Sequence, residues 1–173
     1  MESLSTNGFV RSGTTLFNNV LMASFPETQI VPYNHRIKEI GLDANSVVII
    51  REPVKCVASW IVFDGKPLTQ KSADDSLEWF CSFFSKLIEH KESICIIKFE
   101  DFIASPNASL LEISTRFNLS LNDDVDVDEI FAKVATSFPR NSPDWSDEPF
   151  DAVEELVRSS SLYDEAVSLF NQL

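Results

Sequence analysis

Short apolar runs alternate with longer amphipathic segments along this chain. The run at 47–50, Val-Val-Ile-Ile, is entirely β-branched, which is typical of a strand buried on both faces of a sheet. Similar stretches predict three further strands, at residues 4–10, 29–33 and 94–99. Because apolar strands alternate with helices, the pattern predicts one domain over residues 1–173, a three-layer α/β/α sandwich around a central, mainly parallel sheet.

Apolar residues spaced three and four apart predict the helices. The clearest helix covers residues 76–89, where Leu77, Phe80 and Phe84 fall on one face. Residues 64–74 are largely polar and predict a loop before that helix. Further helices are predicted at 14–24, from Pro53 onward, after a cap at Asn107, and near 127–135, 150–158 and 161–171.

The charge of the chain narrows the classes of ligand. Lysine and arginine number 14 against 27 acidic residues, which gives a net charge of −13. An acidic surface repels a phosphate backbone, so DNA and RNA are not expected as partners. A small anion needs only a local pocket of backbone donors and a few arginines. Arg11, Arg36 and Arg51 lie in the first third of the chain, whereas acidic residues concentrate after Asp123.

The cysteines and the apolar runs bear on the cellular location. Cys56, Cys81 and Cys95 are odd in number and lack metal-ligand spacing, which predicts reduced core thiols in a cytoplasmic protein. The first residues, Met-Glu-Ser-Leu, lack the basic and apolar regions of a signal peptide. No apolar run approaches the roughly 20 residues of a membrane span, so no such span is expected.

Residues 8–15, Gly-Phe-Val-Arg-Ser-Gly-Thr-Thr, join the first predicted strand to the first predicted helix. Glycines allow a tight turn against a ligand, and a helix N-terminus attracts anions. In the nucleotide-hydrolase loop a lysine follows the second glycine, but Thr14 holds that position here and the basic residue is Arg11. Arg51, and not a magnesium-binding aspartate, follows the strand at 47–50. The pattern predicts either a phosphate loop for a multiply anionic ligand that arginines bind without a metal, or a Gly-Thr helix cap with a surface arginine.

A basic residue followed by Ser-Gly-Thr-Thr, here Arg11 to Thr15, resembles the 5′-phosphosulfate loop of the sulfotransferase family, which uses PAPS (3′-phosphoadenosine 5′-phosphosulfate) as donor. Residues 47–60 resemble the family's second signature, an apolar strand, Arg-x-Pro, and a serine eight residues after the arginine. Arg51 and Ser59 hold the positions that bind the 3′-phosphate in that family. The resemblance implies a P-loop α/β/α fold and PAPS-dependent sulfuryl transfer.

The resemblance also implies roles for individual residues. Arg11 is expected to stabilise the leaving phosphate oxygen, and the hydroxyls of Thr14 and Thr15 to hold the 5′-phosphate together with the amides of residues 12–15. The donor-binding residues implied in this way are Arg11, Ser12, Gly13, Thr14, Thr15, Arg51, Ser59 and Arg140.

Two later segments carry weaker likenesses to the family. Residues 96–102 are similar to its apolar strand ending in Tyr-Glu-Asp, with Phe99 in place of the tyrosine, and a structural role is expected for them. Residues 139–145 are similar to the segment that closes over the donor, although its glycines are missing. Either Arg140 contacts the 3′-phosphate, or the segment is a surface loop in which Trp145 is packed.

A general base is needed to take the acceptor proton, and histidine is the usual one. His35 lies in a segment that resembles the Lys-Thr-His segment of cytosolic sulfotransferases, with Tyr33 two places before it where the family has lysine. Glu27 is the alternative base, since other members use a glutamate in this region, and a third alternative is that neither residue serves. His90 is expected to face solvent at the end of the long helix.

Three functions remain open from the sequence. The leading one is a sulfotransferase that modifies a hydroxyl or amine of an unidentified small-molecule or glycan acceptor. A P-loop small-molecule kinase is disfavoured by Thr14 and Arg51, which replace the lysine and the magnesium ligand. A non-catalytic nucleotide-binding protein is favoured by the short chain, in which the acceptor-binding loops are compressed. The polar segment 64–74 either covers an acceptor or is an ordinary connection.

Overall fold

Four parallel strands form the centre of the molecule. The structure is a computed structural model that describes residues 3–32, 35–40, 45–122, 124–136 and 148–173. In chain order the strands are β1 (Ser3–Gly8), β2 (Gln29–Pro32), β3 (Ser46–Ile50) and β4 (Cys95–Lys98). Their order in the sheet is β2-β1-β3-β4, and every neighbouring pair is parallel, which confirms the predicted α/β class and the parallel sheet.

Eight α-helices and one 3-10 helix are found in the part of the chain that the structure describes. The α-helices are α1 (Thr14–Ser24), α2 (Pro53–Phe63), α3 (Gln70–His90), α4 (Phe99–Ala104), α5 (Pro106–Phe117), α6 (Val127–Thr136), α7 (Glu148–Arg158) and α8 (Tyr163–Phe170). The 3-10 helix covers Ile37–Glu39. No helix of the described residues is long and apolar enough to pass through a membrane.

The side chains of β3 point alternately into two apolar cores. Val48 and Ile50 belong to a core formed with α2, α3, α7 and α8. Val47 and Ile49 belong to a second core formed with α1, α4, α5 and α6. Helices therefore cover both faces of the sheet, an arrangement compatible with the predicted three-layer α/β/α fold.

Several predicted bounds agree with the structure and two do not. The first helix and the strand at 47–50 lie where they were predicted, but residues 70–74 are helical and do not form a loop. The Thr69 hydroxyl accepts the amide of Ser72 at 3.3 Å and so caps α3 earlier than its apolar residues indicate. The prediction of Asn107 as a cap is wrong because Pro106, suited to the first turn, already begins α5.

A partly buried carboxylate attaches α7 to α2. Glu154 accepts hydrogen bonds from Lys55 Nζ on α2 at 2.5 Å and from Arg158 Nη2 at 2.9 Å, and its side chain is only 11% exposed. Burial by itself raises the pKa of Glu154, but the hydrogen bonds from Lys55 and Arg158 outweigh it and hold that pKa below its usual value. Glu154 is therefore an anion at neutral pH and links the two helices.

Replacing Glu154 by glutamine should lower the free energy of unfolding at neutral pH by about 1–3 kcal/mol, since two cationic donors lose a charged acceptor. The pKa of Glu154 is lower in the folded chain, so its contribution exists above the pKa of an unfolded glutamate and disappears as the pH falls. The stability difference between wild type and variant should therefore narrow in acid. Urea unfolding at neutral and acidic pH measures it.

The matched control is Glu155→Gln, which changes an exposed carboxylate at the next position of α7. It should alter stability by no more than about 0.5 kcal/mol. Equal losses in the two variants, or a Glu154→Gln loss that is as large in acid as at neutral pH, would contradict the assignment.

Candidate functional site

The candidate site lies where the order in which strands are added to the sheet reverses. From β1 the chain first adds β2 on one side and then β3 on the other, so the carboxyl ends of β1 and β3 flank a switch point. Open α/β sheets bind ligands in the crevice at such a point. Gly8 and Ile49 are register partners, so the loop 9–13 after β1 and Arg51 after β3 meet there.

The loop 9–13 has a closed backbone turn followed by an uncapped helix. The amide and the hydroxyl of Ser12 both donate to the Phe9 carbonyl, at 3.1 and 2.7 Å. Arg11 and Gly13 are left-handed, with φ of 65° and 93°. Gly13 is the N-cap of α1 and has no side chain to bond the first amides of the helix. Since those amides also lack an intrahelical acceptor, the start of α1 is suited to an anion.

The hydrogen bonds of Ser12 to Phe9 bear on the role expected for the Ser12 amide. Its amide was expected to face a 5′-phosphate with those of the next three residues, but it closes the loop onto Phe9, and Ser12 is fully buried. The amides left for a ligand are those of Gly13, Thr14 and Thr15. Thr15 is exposed and Thr14 half-buried at the start of α1.

Close contacts require glycine at two positions, Gly8 at the end of β1 and Gly13 at the end of the loop 9–13. A Cβ at Gly13 would lie 2.4 Å from two ring atoms of Phe99. A Cβ at Gly8 would lie 2.8 Å from the carbonyl oxygen of Ile49. The loop is therefore pressed against β3 on one side and against the first residue of α4 on the other, which agrees with the structural role expected for Phe99.

One face of α2 contacts the loop along its length. The Cys56 thiol donates to the Val10 carbonyl at 3.0 Å, and Arg11 Nε donates to Ser59 Oγ at 3.4 Å. The Arg11 guanidinium also lies 4.0 Å from the ring centroid of Phe63. Burial raises the pKa of the Cys56 thiol far above its usual value, so this group is a neutral S–H donor. Residues spaced three and four apart on one helix thus fix the loop.

Arg51 connects the second strand end to the loop. Its Nη1 donates to the Arg11 carbonyl at 3.4 Å, and its guanidinium carbon lies 4.8 Å from the ring centroid of Phe99. The Nε atom is buried and has no hydrogen-bond partner among the described residues. The carboxylate oxygen Oε1 of Glu100 lies 4.0 Å from it. Arg11, Arg51 and Ser59, predicted from two separate motifs, are thus joined by direct contacts.

His35 is held at the same edge of the sheet through β1. Its Nδ1 lies 2.7 Å from the Gly8 carbonyl, and its amide donates to Asn7 Oδ1 at 3.1 Å. Asn7 Nδ2 in turn donates to the Arg36 carbonyl at 3.0 Å. Because a carbonyl only accepts hydrogen bonds, Nδ1 carries the proton in the neutral ring, and Nε2 keeps a lone pair that can take a proton.

Glu27 and His90, the other residues considered as a base or as a solvent-facing histidine, do not lie at this edge. Glu27 is exposed in the turn before β2, and Gln29, two residues later, pairs with Ser3 at the amino end of β1. Glu27 therefore lies at the opposite edge of the sheet, which disfavours it as the base. His90 is half-buried at the end of α3, before the amino end of β4. Arg140 and its segment 139–145 lie outside the described residues.

The sequence reasoning missed two residues that position the site. Asn7 is almost fully buried in a strand and bonds both the backbone of β1 and the 35–36 segment. A buried strand that includes an asparagine was a detectable signal. Cys56 was predicted only as a reduced core residue, and its contact with Val10 gives no signal in the sequence.

No protein-family model matches the chain, and no curated protein matches it either.

Gly13→Ala should destabilise the fold by about 2–4 kcal/mol, because it adds a clash with Phe99 to the cost of a left-handed alanine. Gly65→Ala is the matched control, since Gly65 has φ +63° but nothing within 4 Å of an added Cβ. The control should lose only about 1 kcal/mol. Urea unfolding of both variants measures the difference. Equal losses would show that the contact with Phe99 does not restrict position 13.

Proposed function

We propose that this chain is a PAPS-dependent sulfotransferase on a P-loop three-layer α/β/α sandwich. It would move a sulfuryl group from PAPS to a hydroxyl or amine of a small-molecule or glycan acceptor. The observation that carries the proposal is the cluster of Arg11, Arg51 and Ser59, linked by contacts of 3.4 Å beside the uncapped start of α1. This cluster offers two anion-binding positions next to each other.

The first position is suited to the 5′-phosphosulfate. The amides of Gly13, Thr14 and Thr15 lie at the start of α1, where the helix dipole favours a negative charge. Arg11 leads into this turn in a left-handed conformation, held by Ser59 and Phe63. Its guanidinium is the cation next to this position, and it would stabilise charge on a leaving phosphate oxygen.

The second position is suited to a 3′-phosphate. Arg51 has a buried Nε without a hydrogen-bond partner among the described residues, and an unsatisfied buried donor costs about 1–3 kcal/mol. A phosphate oxygen satisfies such a donor with a charge-assisted hydrogen bond, for which the guanidinium fork is well shaped. A ligand with two separate phosphates therefore explains both arginines, and a second phosphate on the ribose is what distinguishes PAPS from ATP.

The transfer step uses His35 as general base. The acceptor oxygen forms a bond to the sulfur while the bond from sulfur to the bridging oxygen of the 5′-phosphate breaks. The acceptor proton goes to Nε2 of His35, and the electron pair of the broken bond stays on the phosphate of the departing PAP (3′-phosphoadenosine 5′-phosphate). The Gly8 carbonyl stabilises the imidazolium through Nδ1, the role that an orienting acceptor plays for a catalytic histidine.

PAP should stabilise the protein without added magnesium. At about 100 times its dissociation constant, a ligand adds about 2.7 kcal/mol, which raises the melting temperature by about 5–10 °C in a chain of this size. Arg51→Ala should abolish this shift, and Arg116→Ala, which removes an exposed arginine of α5, should keep it. Thermal melting with PAP and with ATP–magnesium measures it. Stabilisation by ATP–magnesium but not by PAP would overturn the proposal.

His35→Ala should lower sulfate transfer from labelled PAPS by about 100-fold or more while PAP binding stays within about twofold, because a general base contributes roughly 10²–10⁴-fold. His90→Ala is the control, since His90 lies at the other edge of the sheet. Sulfate transfer is measured with a panel of hydroxyl and amine acceptors. Unchanged turnover in His35→Ala would reject this base. PAP binding without transfer to any acceptor would favour a non-catalytic nucleotide-binding protein.

A further inference from the structure

Arg51 faces a carboxylate on the side where it lacks a hydrogen bond. Its Nη1 donates to the Arg11 carbonyl, but its buried Nε has no partner among the described residues. Glu100 Oε1 lies 4.0 Å from that Nε, which is beyond hydrogen-bond distance yet close enough for attraction between the charges. Glu100 thus lies close to the buried Arg51 donor that has no hydrogen-bond partner among the described residues.

Glu100 is placed to leave that position easily. It is the second residue of α4, and its side chain is 51% exposed, whereas the Arg51 side chain is 23% exposed. Phe99, which precedes it, packs against Gly13 and under Arg51, so the backbone at this point is fixed while the carboxylate reaches water. Turning Glu100 away from Arg51 costs little because an exposed ion pair contributes little.

We infer that Glu100 competes with the ligand for Arg51 and so lowers the affinity of the site for anions. The inference rests on the proposed function, since it assumes that an anion binds at Arg51. A phosphate that accepts from Nε must enter the region beside the Glu100 carboxylate, and like charges repel there. The same repulsion limits how tightly the product PAP is held.

The test compares Glu100→Gln with Asp101→Asn in the full chain. Each variant removes one negative charge from the first turn of α4, but only Glu100 is paired with Arg51. The probes are PAP and inorganic pyrophosphate, measured by isothermal titration without magnesium. Glu100→Gln should bind both probes about three- to tenfold more tightly than wild type, and Asp101→Asn should change affinity by less than about twofold. Melting temperatures of the free proteins should stay close to wild type.

The outcomes separate this inference from the proposed function. An equal gain of affinity in both variants would show that any lost negative charge in this turn strengthens binding. Glu100 would then have no specific effect on Arg51, and the inference would be overturned. Weaker binding in Glu100→Gln would show that Glu100 instead holds Arg51 ready for the ligand, and would also overturn it. If PAP fails to bind wild type while pyrophosphate binds more tightly to Glu100→Gln, the proposed function fails and the competition at Arg51 stands. Absence of binding by both probes overturns both.

Discussion

Gly8 and Ile49 pair across the β1–β3 ladder so closely that a Cβ on Gly8 would meet the Ile49 carbonyl at 2.8 Å. This pairing brings two strand ends together, and the contact of Arg51 with the loop 9–13 depends on it. The loop after β1 turns back over Gly8, which places Arg11 beside Arg51. A parallel sheet makes such an arrangement natural, because the carboxyl ends of neighbouring strands share one edge.

The net charge of −13 is compatible with the proposed anion site because of where the hydrogen-bond donors lie at this edge. The proposed site would depend on backbone amides and two guanidinium groups, and not on a long basic surface. One neighbouring carboxylate is directed elsewhere, since Glu52 accepts the amide of Lys55 at 3.1 Å and caps α2. Local donors dominate binding of a small ligand, whereas the acidic surface governs encounters with large polyanions.

Local patterns made much of the fold predictable from the sequence. The β-branched run of β3 and the apolar spacing of α1 depend on neighbouring residues, and both elements lie where they were predicted. The start of α3 was missed because the Thr69 cap is polar and lies outside the apolar periodicity. In the site, the resemblance to the second sulfotransferase signature implied a shared role for Arg51 and Ser59, but Ser59 contacts Arg11, a pairing over 48 residues that no local pattern contains. Glu27 could be placed only once the register of β2 was known.

Backbone strain adds an independent reason to connect the loop with His35. Three described residues other than glycine have positive φ: Arg11 at 65°, His35 at 73° and Asn118 at 52°. Asn118 is the C-cap of α5, where a left-handed asparagine is common. Arg11 and His35 are not at a helix C-cap, and the left-handed conformation costs each of them about 1–2 kcal/mol. The contacts of Asn7 and Gly8 with His35, and of Ser59 and Arg51 with Arg11, hold both residues in place. Strain of this kind persists where surrounding contacts enforce it and concentrates at functional sites. The positive φ of both Arg11 and His35 supports the proposal that the arginine and the histidine serve one site.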